Sequence, residues 1–72
     1  MPKKKMIIPP AAMVELMKKA GAERVSEQAA HAMAEYLIEI GFEIAKEAIK
    51  LANHAGRKTI KKADIELAKT RV

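Results

Sequence analysis

Between Ser26 and Gly56 the chain runs 29 residues without a proline and with a single glycine, Gly41. That stretch constrains the fold more than any other. It predicts one helix from about Glu27 to His54, on the order of 40 Å long at 1.5 Å per residue. Ser26 is a good N-cap for it, and Glu27 complements the helix dipole in the first turn. Met33, Leu37, Ile40, Ile44, Ala48, Leu51 and Ala55 recur at steps of three and four, which marks a sustained buried face. Ile38, Phe42 and Ile49 make a second apolar face. Glu35, Glu39, Glu43, Glu47, Lys46 and Lys50 fill the rest. The pairs Glu43–Lys46 and Glu47–Lys50 favour the helix. Glu39–Glu43, Glu43–Glu47 and Lys46–Lys50 oppose it by similar amounts, so burial must hold this helix together. A glycine inside a helix costs about 1 kcal/mol relative to alanine, and Gly41 therefore suggests the close approach of another backbone.

The flanks are shorter. Residues 1–8, with Lys3, Lys4 and Lys5, read as a basic flexible tail, and residues 9–72 as one folded domain. Pro9 or Pro10 can open a first helix, because its missing N–H would have been unpaired there anyway. That helix is expected to reach about Ala20, with Met13, Val14, Leu16 and Met17 on one apolar stripe and Gly21 as its stop. Glu23-Arg24-Val25 forms a short connector. Arg57-Lys58-Thr59-Ile60 forms a second, β-capable one. A third helix follows from Lys61 or Lys62 to Lys69, with Asp64 in its first turn and Ile65, Leu67 and Ala68 on its apolar face. The expected class is all-α: short helix, long helix, short helix. Two short helices cannot cover a long one that has two apolar faces. A chain of 72 residues buries only roughly 60% of its unfolded surface and has no cysteine to staple it. An obligate dimer is the expected remedy.

Composition excludes several activities. Without cysteine there is no disulfide framework, no zinc finger and no thiol nucleophile. His31 and His54 stand far apart and lack metalloprotease spacing. No catalytic constellation, metal site or cofactor is expected, and the chain does not read as an enzyme. No apolar run approaches the roughly 20 residues of a membrane span. The basic start before Met6-Ile7-Ile8 is interrupted by Pro9-Pro10, so an intracellular, soluble chain is expected.

The net charge of +5 conceals a pattern. Residues 1–25 hold six Lys and Arg against two Glu, giving +4. Residues 26–50 hold two Lys against five Glu, giving −3. Residues 51–72 hold six Lys and Arg against Asp64 and Glu66, again +4. Two basic ends around an acidic middle suggest a polyanion met by particular parts of the fold. Arg24, on a short connector, suits a minor groove, whose negative potential favours arginine. Helix N-termini near Ser26 and Lys61 expose N–H groups, and with Lys58, Thr59 and Lys61 they suggest a phosphate clamp. Lys18 and Lys19 of the first helix complete the candidate DNA-contact set. No helix is placed to read bases in a major groove, and one Tyr and one Phe offer little for stacking on single strands.

Ala20-Gly21-Ala22-Glu23-Arg24-Val25-Ser26, His54-Ala55-Gly56-Arg57-Lys58-Thr59-Ile60 and Asp64-Ile65-Glu66-Leu67-Ala68 closely resemble archaeal histones, in the family's order and spacing, over about residues 9–70. The resemblance implies the histone fold, with two chains clasped head to tail and their long helices crossing near the middle. The first connector of one chain would then pair with the second connector of its partner. It implies double-stranded DNA as the ligand, with Arg24 in the minor groove and Lys58 and Thr59 on phosphates. It assigns Arg57 and Asp64 to a buried salt bridge within the chain. It assigns Leu51, His54, Asp64 and Leu67 to a surface that joins dimers into tetramers or longer wrapping assemblies. A His54–Asp64 contact across that surface would make assembly respond to pH. The expected setting is the chromosome in the cytoplasmic nucleoid, as a homodimer or a heterodimer with a related histone. Glu15, Phe42 and Asn53 stand where relatives often carry basic residues, and Pro9-Pro10-Ala11-Ala12 replaces the usual opening. The rival expectation is a histone-fold dimerisation module of a larger complex, with DNA binding incidental.

Overall fold

The structure, a computed structural model, describes residues 8–72. The basic tail expected before them falls almost wholly outside the described residues. Three helices follow in order: α1 (Pro10–Lys19), α2 (Glu27–His54) and α3 (Lys62–Ala68). There is no strand among the described residues, and the β-capable second connector runs as turns and bends.

The helix ends have local causes. Pro10 opens α1 behind an extended Pro9. The Ser26 hydroxyl accepts the N–H of Ala29 at 3.0 Å, which caps α2. Gly21 and Gly56 have φ values of 120° and 75°, a region that disfavours side chains. Each closes the preceding helix with a paired motif. Ala22 N–H bonds the Met17 carbonyl and Gly21 N–H that of Lys18. Arg57 N–H bonds the Ala52 carbonyl and Gly56 N–H that of Asn53.

The described residues form two compact units that part between Ile38 and Glu39, and α2 contributes to both. In the first, Met13 of α1 is buried with Ala30 and Ala34 of α2. Ile8, Val14, Met17, Val25, Met33 and Leu37 pack against that cluster, so ordered packing reaches back to Ile8, the last residue assigned to the tail. In the second, Ala48 and Ala52 of α2 and Asp64 and Ala68 of α3 are buried.

The most buried positions of α2 are therefore alanines rather than the large aliphatics of the expected face. Met33, Leu37, Ile44 and Leu51 are half-buried, whereas Ile40 and Ala55 are exposed. Leu16 of α1 and Ile65 and Leu67 of α3, which the spacing puts on apolar faces, are exposed in the single chain. Tyr36, Phe42 and Ile49 add to that surface, and no large side chain among the described residues is fully buried. The reason is geometric: short helices approach α2 closely along its smallest side chains and leave the bulky ones uncovered. Gly41 differs from expectation within the chain as well, since a Cβ there would meet nothing within 4 Å. The pairs Glu43–Lys46 (3.5 Å) and Glu47–Lys50 (3.9 Å) form along α2 as their spacing predicts.

Candidate nucleic-acid interface

The second connector is held by one arginine. The Arg57 N–H is fixed to the end of α2. Its guanidinium donates to both carboxylate oxygens of Asp64, at 2.9 Å each, and to the Thr59 carbonyl at 2.9 Å. The Asp64 carboxylate also accepts the Lys61 N–H at 2.8 Å. Only this half of a capping box operates, because a lysine ammonium has no lone pair with which to accept in return. Asp64 is buried, at 6% exposure, and every donor it needs is present. The Arg57 hydrogen bonds and the Lys61 N–H lower its carboxyl pKa from 3.8 to about 2. In return, the hydrogen bond to Asp64 raises the pKa of the Arg57 guanidinium further. The bidentate pair therefore fixes the path of Lys58, Thr59 and Ile60 and leaves all three exposed.

This arrangement corrects one expectation. The Lys61 N–H is committed to Asp64, and the Ala29 N–H to Ser26, so neither is free for a phosphate. Asp64 accepts three bonds from its own chain, and a carboxylate offers about four acceptor positions. Leu51 is half-buried, and His54 and Leu67 are exposed.

The cations divide into two sets. Lys19 lies 3.8 Å from Glu15, Lys46 from Glu43 at 3.5 Å, Lys50 from Glu47 at 3.9 Å, and Lys62 from Glu66 at 3.8 Å. Arg57 has Asp64, and Arg71 reaches Glu47 at 3.4 Å. Lys46 also sits over the Phe42 ring, 5.4 Å from its centre. Among the described residues, Lys18, Arg24, Lys58, Lys61 and Lys69 form no salt bridge, although the Lys61 charge lies near enough to Asp64 to help hold its carboxyl ionised. Arg24 lies on the first connector, Lys58 on the second, Lys61 at the start of α3 and Lys18 in the last turn of α1. Lys69, at the end of α3, was not singled out from the sequence. Its signal is there nonetheless: Glu66 lies one turn from Lys62 and is drawn to it. The Arg71–Glu47 pair was missed too, because no periodicity links residues 24 apart.

No group of three or more His, Cys, Asp or Glu among the described residues could hold a metal ion. No described helix is long and apolar enough to cross a membrane.

A buried alanine core, a short–long–short helix order, and cations gathered on two connectors and at helix ends describe a small, basic, all-helical protein. The family described as histone-like transcription factors (CBF/NF-Y) and archaeal histones matches residues 6–68. The archaeal histone HAN1 of Thermococcus zilligii is 56% identical over 61 residues, which cover 85% of this chain and 91% of that protein. Probable archaeal histone 3 of Methanocaldococcus jannaschii is 51% identical over 61 residues, with the same coverage of 85% and 91%. The chain belongs to the archaeal histone family. Its three helices are the histone fold, and it is a DNA-binding chromatin protein that dimerises through that fold.

Proposed function

We propose that the chain acts as a dimer that binds, bends and wraps double-stranded DNA with little sequence preference, compacting the chromosome within the nucleoid. Two copies of this chain, or this chain and a related histone, supply the large apolar side chains that cover one another along α2. Arg24 enters the minor groove, and Lys58, Thr59, Lys61 and Lys18 hold phosphates. Lys19 adds to them, since an exposed pair such as Lys19–Glu15 is worth little and yields readily to a phosphate. Dimers join through Leu51, His54, Asp64 and Leu67 into tetramers or longer particles. The basic segment of residues 1–8 adds long-range attraction to the polyanion.

One observation carries this reading. The cations that form no salt bridge among the described residues lie on the two connectors and at helix ends rather than along the middle of α2. Such a layout suits backbone contact at several points on a duplex, with no element placed to read bases. The family gives no support to an enzyme, and nothing in the structure favours a DNA-independent dimerisation module.

The test is duplex binding in rising salt, with Arg24→Ala and Lys58→Ala beside the parent protein. Both variants are expected to stay folded and dimeric and to bind more weakly. Affinity independent of salt, or parental affinity in both variants, overturns the reading. Nuclease digestion of the complexes then reports particle size, since the protected lengths count the dimers in each.

A further inference from the structure

The side of α3 that faces away from its unit carries charge that the connector contacts do not use. Lys62, Glu66 and Lys69 are spaced i, i+4 and i+7, and Lys69 keeps helical backbone angles, so the three form one stripe. Asp64 and Ala68 are buried on the opposite side of the helix. The connector is tied to that opposite side, because Arg57 bonds Asp64 and the Thr59 carbonyl together. A duplex seated on Lys58 and Thr59 is thus separated by the body of α3 from the stripe. The stripe is net positive. Glu66 reaches only Lys62, at 3.8 Å, and the Lys62 and Glu66 side chains are 87% and 60% exposed. An exposed pair of that kind offers a phosphate little competition. Lys69 has no carboxylate partner among the described residues.

We propose that the outer stripe of α3, through Lys62 and Lys69, holds the phosphates of a second DNA duplex, so that one particle ties two DNA segments together. The proposal rests on the reading of the second connector as the contact to the first duplex. Its chemistry is that of a polyanion held by ammonium groups: no base is read, and the contact weakens as salt rises.

The experiment uses the full chain assembled on a bead-bound duplex and measures capture of a labelled free duplex. The variants are Lys62→Ala with Lys69→Ala, and separately Glu66→Gln. Alanine favours helix, and circular dichroism checks that α3 persists. Each phosphate contact contributes roughly tenfold to affinity at about 0.1 M salt relative to 1 M. The double variant is expected to keep its affinity for the first duplex and to lose capture of the second by tenfold or more (roughly one contact's worth at least). Glu66→Gln is expected to raise capture, because it removes the stripe's one carboxylate. The proposal is overturned if the parent protein captures no second duplex, or if the double variant captures as well as the parent. It is also overturned if the double variant loses affinity for the first duplex to the same degree, which would place the stripe on that duplex. Lys58→Ala keeps the two readings apart. If it leaves first-duplex binding unchanged, the connector reading fails, whatever the stripe does.

Discussion

Replacing Lys58 by alanine should change how DNA affinity depends on salt, by an amount that follows from the ion-pair pattern. Of the residues assigned to DNA, Lys18, Arg24, Lys58 and Lys61 form no salt bridge among the described residues: four per chain, eight in a dimer. Each phosphate neutralised contributes about −0.9 to the slope of log affinity against log salt, so the dimer should show a slope of about −7. Between 50 and 200 mM salt that is a loss of about 10⁴ in affinity. Lys58→Ala removes two contacts per dimer and should flatten the slope to about −5, with roughly a hundredfold weaker binding near 0.1 M salt. Lys46→Ala is the matched control. Lys46 lies along the middle of α2, away from the connectors and helix ends assigned to DNA, so the slope should stay at the parental value. The assay is fluorescence anisotropy of a labelled duplex, titrated at stepped salt concentrations. A Lys58→Ala slope equal to the parent's, or an equal flattening in Lys46→Ala, would refute the assignment of DNA contact to the connectors and helix ends rather than to the middle of α2.

Two further outcomes concern the fold itself. Ser26→Ala deletes the hydroxyl that accepts the Ala29 N–H, and should cost about 1 kcal/mol per chain in urea unfolding. Acid should act through Asp64, whose carboxyl pKa is lowered from 3.8 to about 2 in the fold. The fold favours the ionised form. Its contribution is therefore fully present above the ordinary value and is lost as pH falls through the window down to the folded value. Thermal melts stepped through that window should show a drop in stability that Asp64→Asn, already weaker at neutral pH, lacks.

The helix order and most of the helix ends were legible because they have local causes. Pro10, Gly21, Ser26 and Gly56 each act within a few residues of themselves, and the structure uses all four at helix ends. Which residues are buried was not legible. Periodicity marks Ile40 and Ala48 as one face, yet Ile40 is exposed and Ala48 fully buried in the chain. Hydropathy ranks the bulky residue higher, whereas the close approach of a short helix selects the small one. Among the site residues, the pairing of Arg57 with Asp64 came from family likeness, since seven residues separate them and no helical spacing connects them. The loss of the Lys61 N–H to Asp64 was half legible. An acid in the first turn of a helix is a known capping pattern, and it competes for the same donors as a phosphate.

Gly41 offers a test in which the sign of the result decides. Ala34, Gly41 and Ala48 are seven residues apart along α2, two turns each, and so lie on nearly one line. Ala34 and Ala48 are fully buried, at 0% exposure, each within its own unit. Between them Gly41 is bare, and a Cβ there would meet nothing within 4 Å. From the chain alone, Gly41→Ala should stabilise by about 1 kcal/mol, since alanine is the better helix former and has room. A partner helix lying on that bare stretch reverses the expectation. A methyl group forced into a close backbone contact costs about 1–3 kcal/mol, and a dimer carries two of them. We expect the reversal: Gly41→Ala should unfold at lower urea than the parent when both are compared at the same protein concentration, as a weakened dimer requires. A variant that melts later than the parent would mean that nothing crosses α2 at its midpoint. The uncovered Tyr36, Ile40, Phe42 and Ile49 would then have to be buried by some other route than a second copy of α2 laid across this one.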